Sequence, residues 1–94
     1  NMDDKQIILY GKKMFRITVD SADGDKINIQ LPVAAVKRLL ENSGKLPIPD
    51  GNLNGIQFEE IMSAVAECIN EGMEGDIVSI DAADGTKVRV FVDK

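Results

Sequence analysis

One stretch of this chain is written twice, and that repetition limits the fold more than any other feature. Residues 16–31 read RITVDSADGDKINIQL and residues 77–92 read IVSIDAADGTKVRVFV. At a constant offset of 61 residues, from Leu31 to Val92, Asp20 falls on Asp81, Ala22 on Ala83, Asp23 on Asp84, Gly24 on Gly85 and Lys26 on Lys87. Apolar residues fall on apolar residues at Ile17/Val78, Val19/Ile80, Ile27/Val88, Ile29/Val90 and Leu31/Val92. An internal repeat constrains architecture before it says anything about chemistry.

Each copy is a hairpin. Phe15, Ile17 and Val19 alternate with Arg16 and Thr18, and Ile27, Ile29 and Leu31 alternate with Lys26, Asn28 and Gln30. Period-two alternation marks half-buried strands. The Asp-Gly between the two runs is the strongest short hairpin signal. Setting Val19 against Ile27 and Ile17 against Ile29 leaves Ala22-Asp23-Gly24 as a three-residue loop, with Gly24 at positive φ. Asp20 then faces Lys26. The second copy repeats each item: Ile80 against Val88, Val78 against Val90, the loop Ala83-Asp84-Gly85, and Asp81 against Lys87.

Helical spacing fills the middle of the chain. Pro32 suits a first turn, Val33, Val36, Leu39 and Leu40 form a stripe, and Gly44 is a stop. Phe58, Ile61, Met62, Val65 and Ile69 form a second stripe that Gly72 closes. The residues between carry Gly44, Pro47, Pro49, Gly51 and Gly55 and read as a loop. The expected fold is α+β: a two-layer β-hairpin–helix–helix–β-hairpin domain, its four-stranded antiparallel sheet carrying two helices on one face. The repeat suggests a pseudo-two-fold relation between the hairpins. Residues 5–10, KQIILY, are expected to add an edge strand or to pair with another molecule. Residues 1–94 make one domain, of which 1–4 are expected to be disordered or tag-derived. The core is expected to hold Ile17, Val19, Ile27, Ile29, Val36, Leu39, Leu40, Ile61, Val65, Ile69, Val78, Ile80, Val88 and Val90.

Composition narrows function by exclusion. Lys and Arg number 11 against 16 Asp and Glu, a net charge of −5, which disfavours a nucleic-acid or anionic-membrane partner. The apolar runs are too short for a membrane span. The single cysteine, Cys68, rules out an internal disulfide and fits a cytoplasmic location. Histidine is absent, which removes the commonest general base and metal ligand. No nucleophile is paired with a base, so no catalytic residues, cofactor or metal site are expected.

Three motifs invite chemistry. Asp50-Gly51-Asn52-Leu53-Asn54-Gly55 opens like an EF-hand loop, but the twelfth position is Ile61 rather than a bidentate glutamate, and Pro47 and Pro49 break the helix that should enter it. An Asn/Gly-rich turn is the simpler reading. Glu59, Glu60, Glu67, Glu71 and Glu74 gather on or just past the second helix, where a solvated face accounts for them. Cys68 lies at the edge of the apolar stripe and reads as a small core hydrophobe.

The two copies differ on the outer face, where Arg16 becomes Ile77 and Gln30 becomes Phe91. This places apolar groups where the first hairpin is polar. Either the Ile7–Tyr10 segment covers them or they mark an interface. The expected interface residues are therefore Ile77, Phe91, Ile8 and Tyr10.

The segments FRITV, DGDKINIQLPVAAVKRLL, GIQFEEIMSAV and EGMEGDIVSIDAADGTKVRVFV resemble, over residues 14–93, a small domain of uncharacterised bacterial proteins, chiefly Gram-positive. That domain commonly accompanies a short SHOCT-like helical segment. Its most specific pieces here are Ile29-Gln30-Leu31-Pro32 and Gly75-Asp76-Ile77-Val78. The resemblance implies the fold and no activity. The functional expectation is a non-catalytic protein-interaction or oligomerisation module, a homodimer being its simplest form. The alternative is a small-ligand or cation-binding domain using the 50–60 loop.

Overall fold

The structure, a computed structural model, describes residues 2–46 and 58–94. Along the chain these form α1 (Asp4–Gly11), β1 (Met14–Asp20), β2 (Lys26–Pro32), α2 (Val33–Asn42), α3 (Phe58–Glu71), β3 (Gly75–Asp81) and β4 (Lys87–Val92). The four strands make one antiparallel sheet in the order β2-β1-β4-β3. The helices lie on one face, α2 over β1 and β2, α3 over β3, and α1 against α2. The α+β architecture expected from the sequence is thus present, with one helix more than the pattern implied.

Both hairpins adopt the expected register. Val19 faces Ile27, Ile17 faces Ile29 and Asp20 faces Lys26. Ile80 faces Val88, Val78 faces Val90 and Asp81 faces Lys87. Ser21 donates its N–H to the Asp25 carbonyl and Ala82 donates to Thr86, each at 2.8 Å, which closes three-residue loops. Gly24 and Gly85 have φ of 92° and 97°. A side chain there would be strained, so the turn glycines are required by the loop type.

The relation between the hairpins is not the two-fold that the repeat suggested. A two-fold would set each strand beside its own equivalent at the centre. Instead β1 pairs with β4, the equivalent of β2. The order therefore runs second strand, first strand, second strand, first strand, and one hairpin is carried onto the other by translation along the sheet. Central and edge positions consequently fall on non-equivalent strands. Phe15, Ile17 and Val19 on β1 and Val88, Val90 and Val92 on β4 are buried, while Ile27, Ile29, Leu31, Val78 and Ile80 on the edge strands are half-buried. Four of the expected core residues on the sheet are therefore central and four sit at the edges, and Phe15 and Val92 complete the buried layer. Val33, Val36, Ile61, Val65 and Ile69 cover it from the helices, and Leu39 and Leu40 are half-buried.

The edge strand expected for residues 5–10 is helix α1 instead. Asp3 accepts the Gln6 N–H at 2.8 Å and donates its own N–H to Gln6 Oε1 at 2.9 Å, a reciprocal capping box. A run of four apolar residues does not by itself distinguish strand from helix. The Asp3–Gln6 cap ahead of the run decides it here.

The two turns also touch. Ala22 donates its N–H to Thr86 Oγ1 at 3.2 Å, and Thr86 is a buried polar residue at 3 % exposure. Its equivalent in the first copy is Asp25, which is exposed.

Candidate functional site

The expected interface residues do not form one patch. Phe91 lies on the outer face of the sheet, between Arg16 on β1 and Asp76 on β3. It is half-buried, and the Arg16 guanidinium across from it forks onto Asp93 with distances of 2.9 and 3.0 Å. That bond holds the Asp93 carboxyl below its ordinary range and raises the Arg16 guanidinium. The next rows of this face are Asn28–Thr18–Arg89–Ser79 and Lys26–Asp20–Lys87–Asp81, the second an alternation of charge across all four strands. Arg89 donates to Asp81 Oδ1 and to the Ile80 carbonyl, both at 3.1 Å.

Ile77 is elsewhere. The β3–β4 register slips between Asp76 and Val78, and Ile77 is the extra residue of the bulge. A bulge re-aims the side chain it inserts. Ile77 accordingly packs on the core and lines two adjoining clefts beside α3. Asp76 takes the place opposite Phe91. The outer apolar pair expected from the repeat is therefore broken, and a single aromatic remains there.

The two clefts run along the seam between α3 and β3 and hold about 330 Å³ each. Ala64 and Ile77 line both; Ile61, Val78 and Ile80 complete one, and Cys68 and Met73 the other. Glu60, Glu67 and Glu71 stand along the α3 side at helical spacing with Ala64. Past this seam β3 is the edge of the sheet.

Tyr10 and Ile8 separate on opposite sides of α1. Tyr10 is buried at 6 % exposure, and its hydroxyl donates to the Met73 carbonyl at 2.7 Å. Cys68 Sγ reaches the same carbonyl at 3.6 Å. Burial is the main cause that pushes both the Tyr10 phenol and the Cys68 thiol up in pKa. Tyr10 is thus an anchor of α1 rather than a surface contact. Ile8 is 60 % exposed, with Ile7 at 41 %, Leu9 at 54 % and Met73 at 50 %. Composition alone did not single out Ile7, Leu9 or Met73; the run Ile7-Ile8-Leu9-Tyr10 was the available signal, since a helix cannot bury four consecutive side chains on one face.

Beside this surface, Met2, Leu9, Tyr10, Gly72 and Glu74 line an open cleft of about 560 Å³, bordered by the Lys13–Glu74 ion pair at 3.4 Å. Among the described residues no group of three or more His, Cys, Asp or Glu is placed to hold a metal ion, and no helix is long and apolar enough to cross a membrane. Residues 50–57 of the loop expected as a cation site lie outside the described residues.

A family model described as YvlB-like protein, C-terminal domain, matches residues 13–91. The matched span begins after α1. No curated protein and no solved structure matches the chain.

Proposed function

The chain belongs to the family of YvlB-like protein C-terminal domains, and from that starting point we propose that it is a non-catalytic interaction and oligomerisation module whose contact surface is the outer side of α1. The observation that carries this reading is the exposure of Ile7, Ile8 and Leu9 on consecutive positions of α1, together with the exposed Met73, whose carbonyl Tyr10 holds. Contiguous apolar surface of this kind marks contact sites more often than it is left in water. Three helix residues and one methionine fall short of the roughly 800 Å² per partner of a standard stable interface, so the association is weak and concentration-dependent. A cytoplasmic setting fits a buried unpaired Cys68.

Light scattering across a range of protein concentrations tests the reading. The mean mass of the wild-type chain should rise with concentration, and Ile8→Lys and Leu9→Lys should each reduce that rise. A monomer mass for the wild type throughout, or a rise that both substitutions leave intact, would remove α1 as the contact.

A further inference from the structure

The translational repeat leaves each molecule with two unlike edges, β2 and β3, and these edges match each other. Inside the molecule the seam between hairpins pairs β1 with β4, so that Ile17 faces Val90, Thr18 faces Arg89, Val19 faces Val88 and Asp20 faces Lys87. β3 is the repeat equivalent of β1, and β2 is the equivalent of β4. We propose that β3 of one molecule pairs antiparallel with β2 of a second copy, in the register of that seam, so that copies add head to tail along a continuing sheet.

Carrying the seam over by the offset of 61 sets Val78 against Ile29 of the second copy, Ser79 against Asn28, Ile80 against Ile27 and Asp81 against Lys26. Every position then meets a suitable neighbour. The apolar pairs fall on the helix side, where all four side chains are only half-buried within one molecule. The Asp81–Lys26 pair falls on the outer face and extends the alternating charge row. Ala82 N–H bonds to Thr86, and in an antiparallel ladder this leaves the backbone groups of Ser79 and Asp81 turned to the free edge. The clefts between α3 and β3 open on the same side. A second copy brings α2 there with its β2, and α2 carries the exposed Lys37 and Arg38. Glu60, Glu67 and Glu71 line those clefts, and none of them is in a salt bridge among the described residues.

Two-fold pairing of β3 with β3 is the competing arrangement, and it would bring the glutamates and Asp76 of each copy towards their own kind. The Ile77 bulge confines the ladder to Val78–Asp81, which keeps the contact short and reversible. A heterologous contact of this sort is not limited to a dimer. It is independent of the outer side of α1.

Cysteine cross-linking in a Cys68→Ala background tests it. Directly opposed residues of a ladder lie within disulfide reach. Ser79→Cys and Asn28→Cys chains are oxidised separately and mixed, and a chain carrying both changes is oxidised alone. The expected result is a mixed dimer formed at least five-fold faster than either homodimer, and a ladder of dimer, trimer and larger species from the double variant. Asp81→Lys should slow the mixed cross-link, and Lys26→Asp in the other chain should restore it. Dominance of the Ser79→Cys homodimer, or equal rates for all combinations, would overturn the proposal. Circular dichroism of each variant confirms that the chains remain folded, and Ile8→Lys should leave the cross-linking rates unchanged.

Discussion

Replacing Tyr10 by Phe should loosen α1 without creating a cavity. The ring stays buried, and the only loss is the 2.7 Å bond from the hydroxyl to the Met73 carbonyl. A bond of this kind contributes a net of about 0.5–1.5 kcal/mol. The Met73 carbonyl keeps Cys68 Sγ at 3.6 Å as a weak donor, which places the expected cost near the middle, at about 1 kcal/mol. For a domain of this size that corresponds to a fall in Tm of about 4–8 °C. Tyr10→Ala also removes the ring from the core, and its cost should be about 3–5 kcal/mol. Urea denaturation with an unchanged m-value measures both, and amide exchange reports whether Ile7 to Gly11 opens ahead of the sheet. The phenol adds a second readout. Its folded pKa lies above the unfolded value, so its stabilisation is complete below about pH 10 and is lost as the pH rises towards the folded value. The Phe variant should lose that decline and keep the one from Cys68, which starts above the ordinary thiol value of about 8.5. A Tyr10→Phe protein as stable as the wild type, with α1 exchange unchanged, would refute the view that this hydroxyl anchors the helix.

Other outcomes follow from the turns and the sheet. Thr86→Val removes the acceptor for the Ala22 N–H and should cost about 1 kcal/mol, with faster exchange at Ala22, as read by denaturation and amide exchange. Gly24→Ala and Gly85→Ala should each cost about 1–2 kcal/mol by thermal melting, because φ is positive at both and nothing presses on a Cβ at Gly24. The Thr86 N–H holds Asp84, and the Arg16 side chain holds Asp93, below the usual carboxylate range. Their stabilisation is therefore present above about pH 3.9 and is lost as the pH falls through the lower folded values. Acid titration of Tm should show that loss shrinking in Asp84→Asn and in Asp93→Asn.

The hairpins were legible in the sequence because everything that sets them is local. Asp-Gly fixes the loop, alternation fixes the inward face, and Asp20 with Lys26 or Asp81 with Lys87 fixes which residues oppose. The helix stops at Gly44 and Gly72 were legible for the same reason. The seam between hairpins was not, because a repeat is equally consistent with rotation and with translation, and only the pairing of β1 with β4 decides. That choice explains the breakdown of the repeat. Gln30 stands on an edge strand while its equivalent Phe91 stands on a central one, between Arg16 and Asp76. Arg16 stands on a central strand while its equivalent Ile77 is the residue a bulge inserts at an edge. The shared outer patch expected for Ile77 and Phe91 failed on that bulge, which no residue at the position announces. The α3 face of Glu60, Ala64, Glu67 and Glu71 was readable from spacing alone, but its place beside a free strand required the topology.

The β1–β4 seam also sets the order in which the chain reaches its native state. Each hairpin closes a loop of three residues, an event on the order of microseconds. The seam joins residues nearly the whole chain apart, as the Arg16–Asp93 bond does across 77 positions. Closing so long a loop carries a large entropic cost before any pairing compensates it. Two hairpins should therefore form early and wait, and the rate-limiting step should be their docking edge to edge. In a ribosome-bound chain that docking has no partner strand until β4 has emerged, so β1 spends synthesis as an exposed edge.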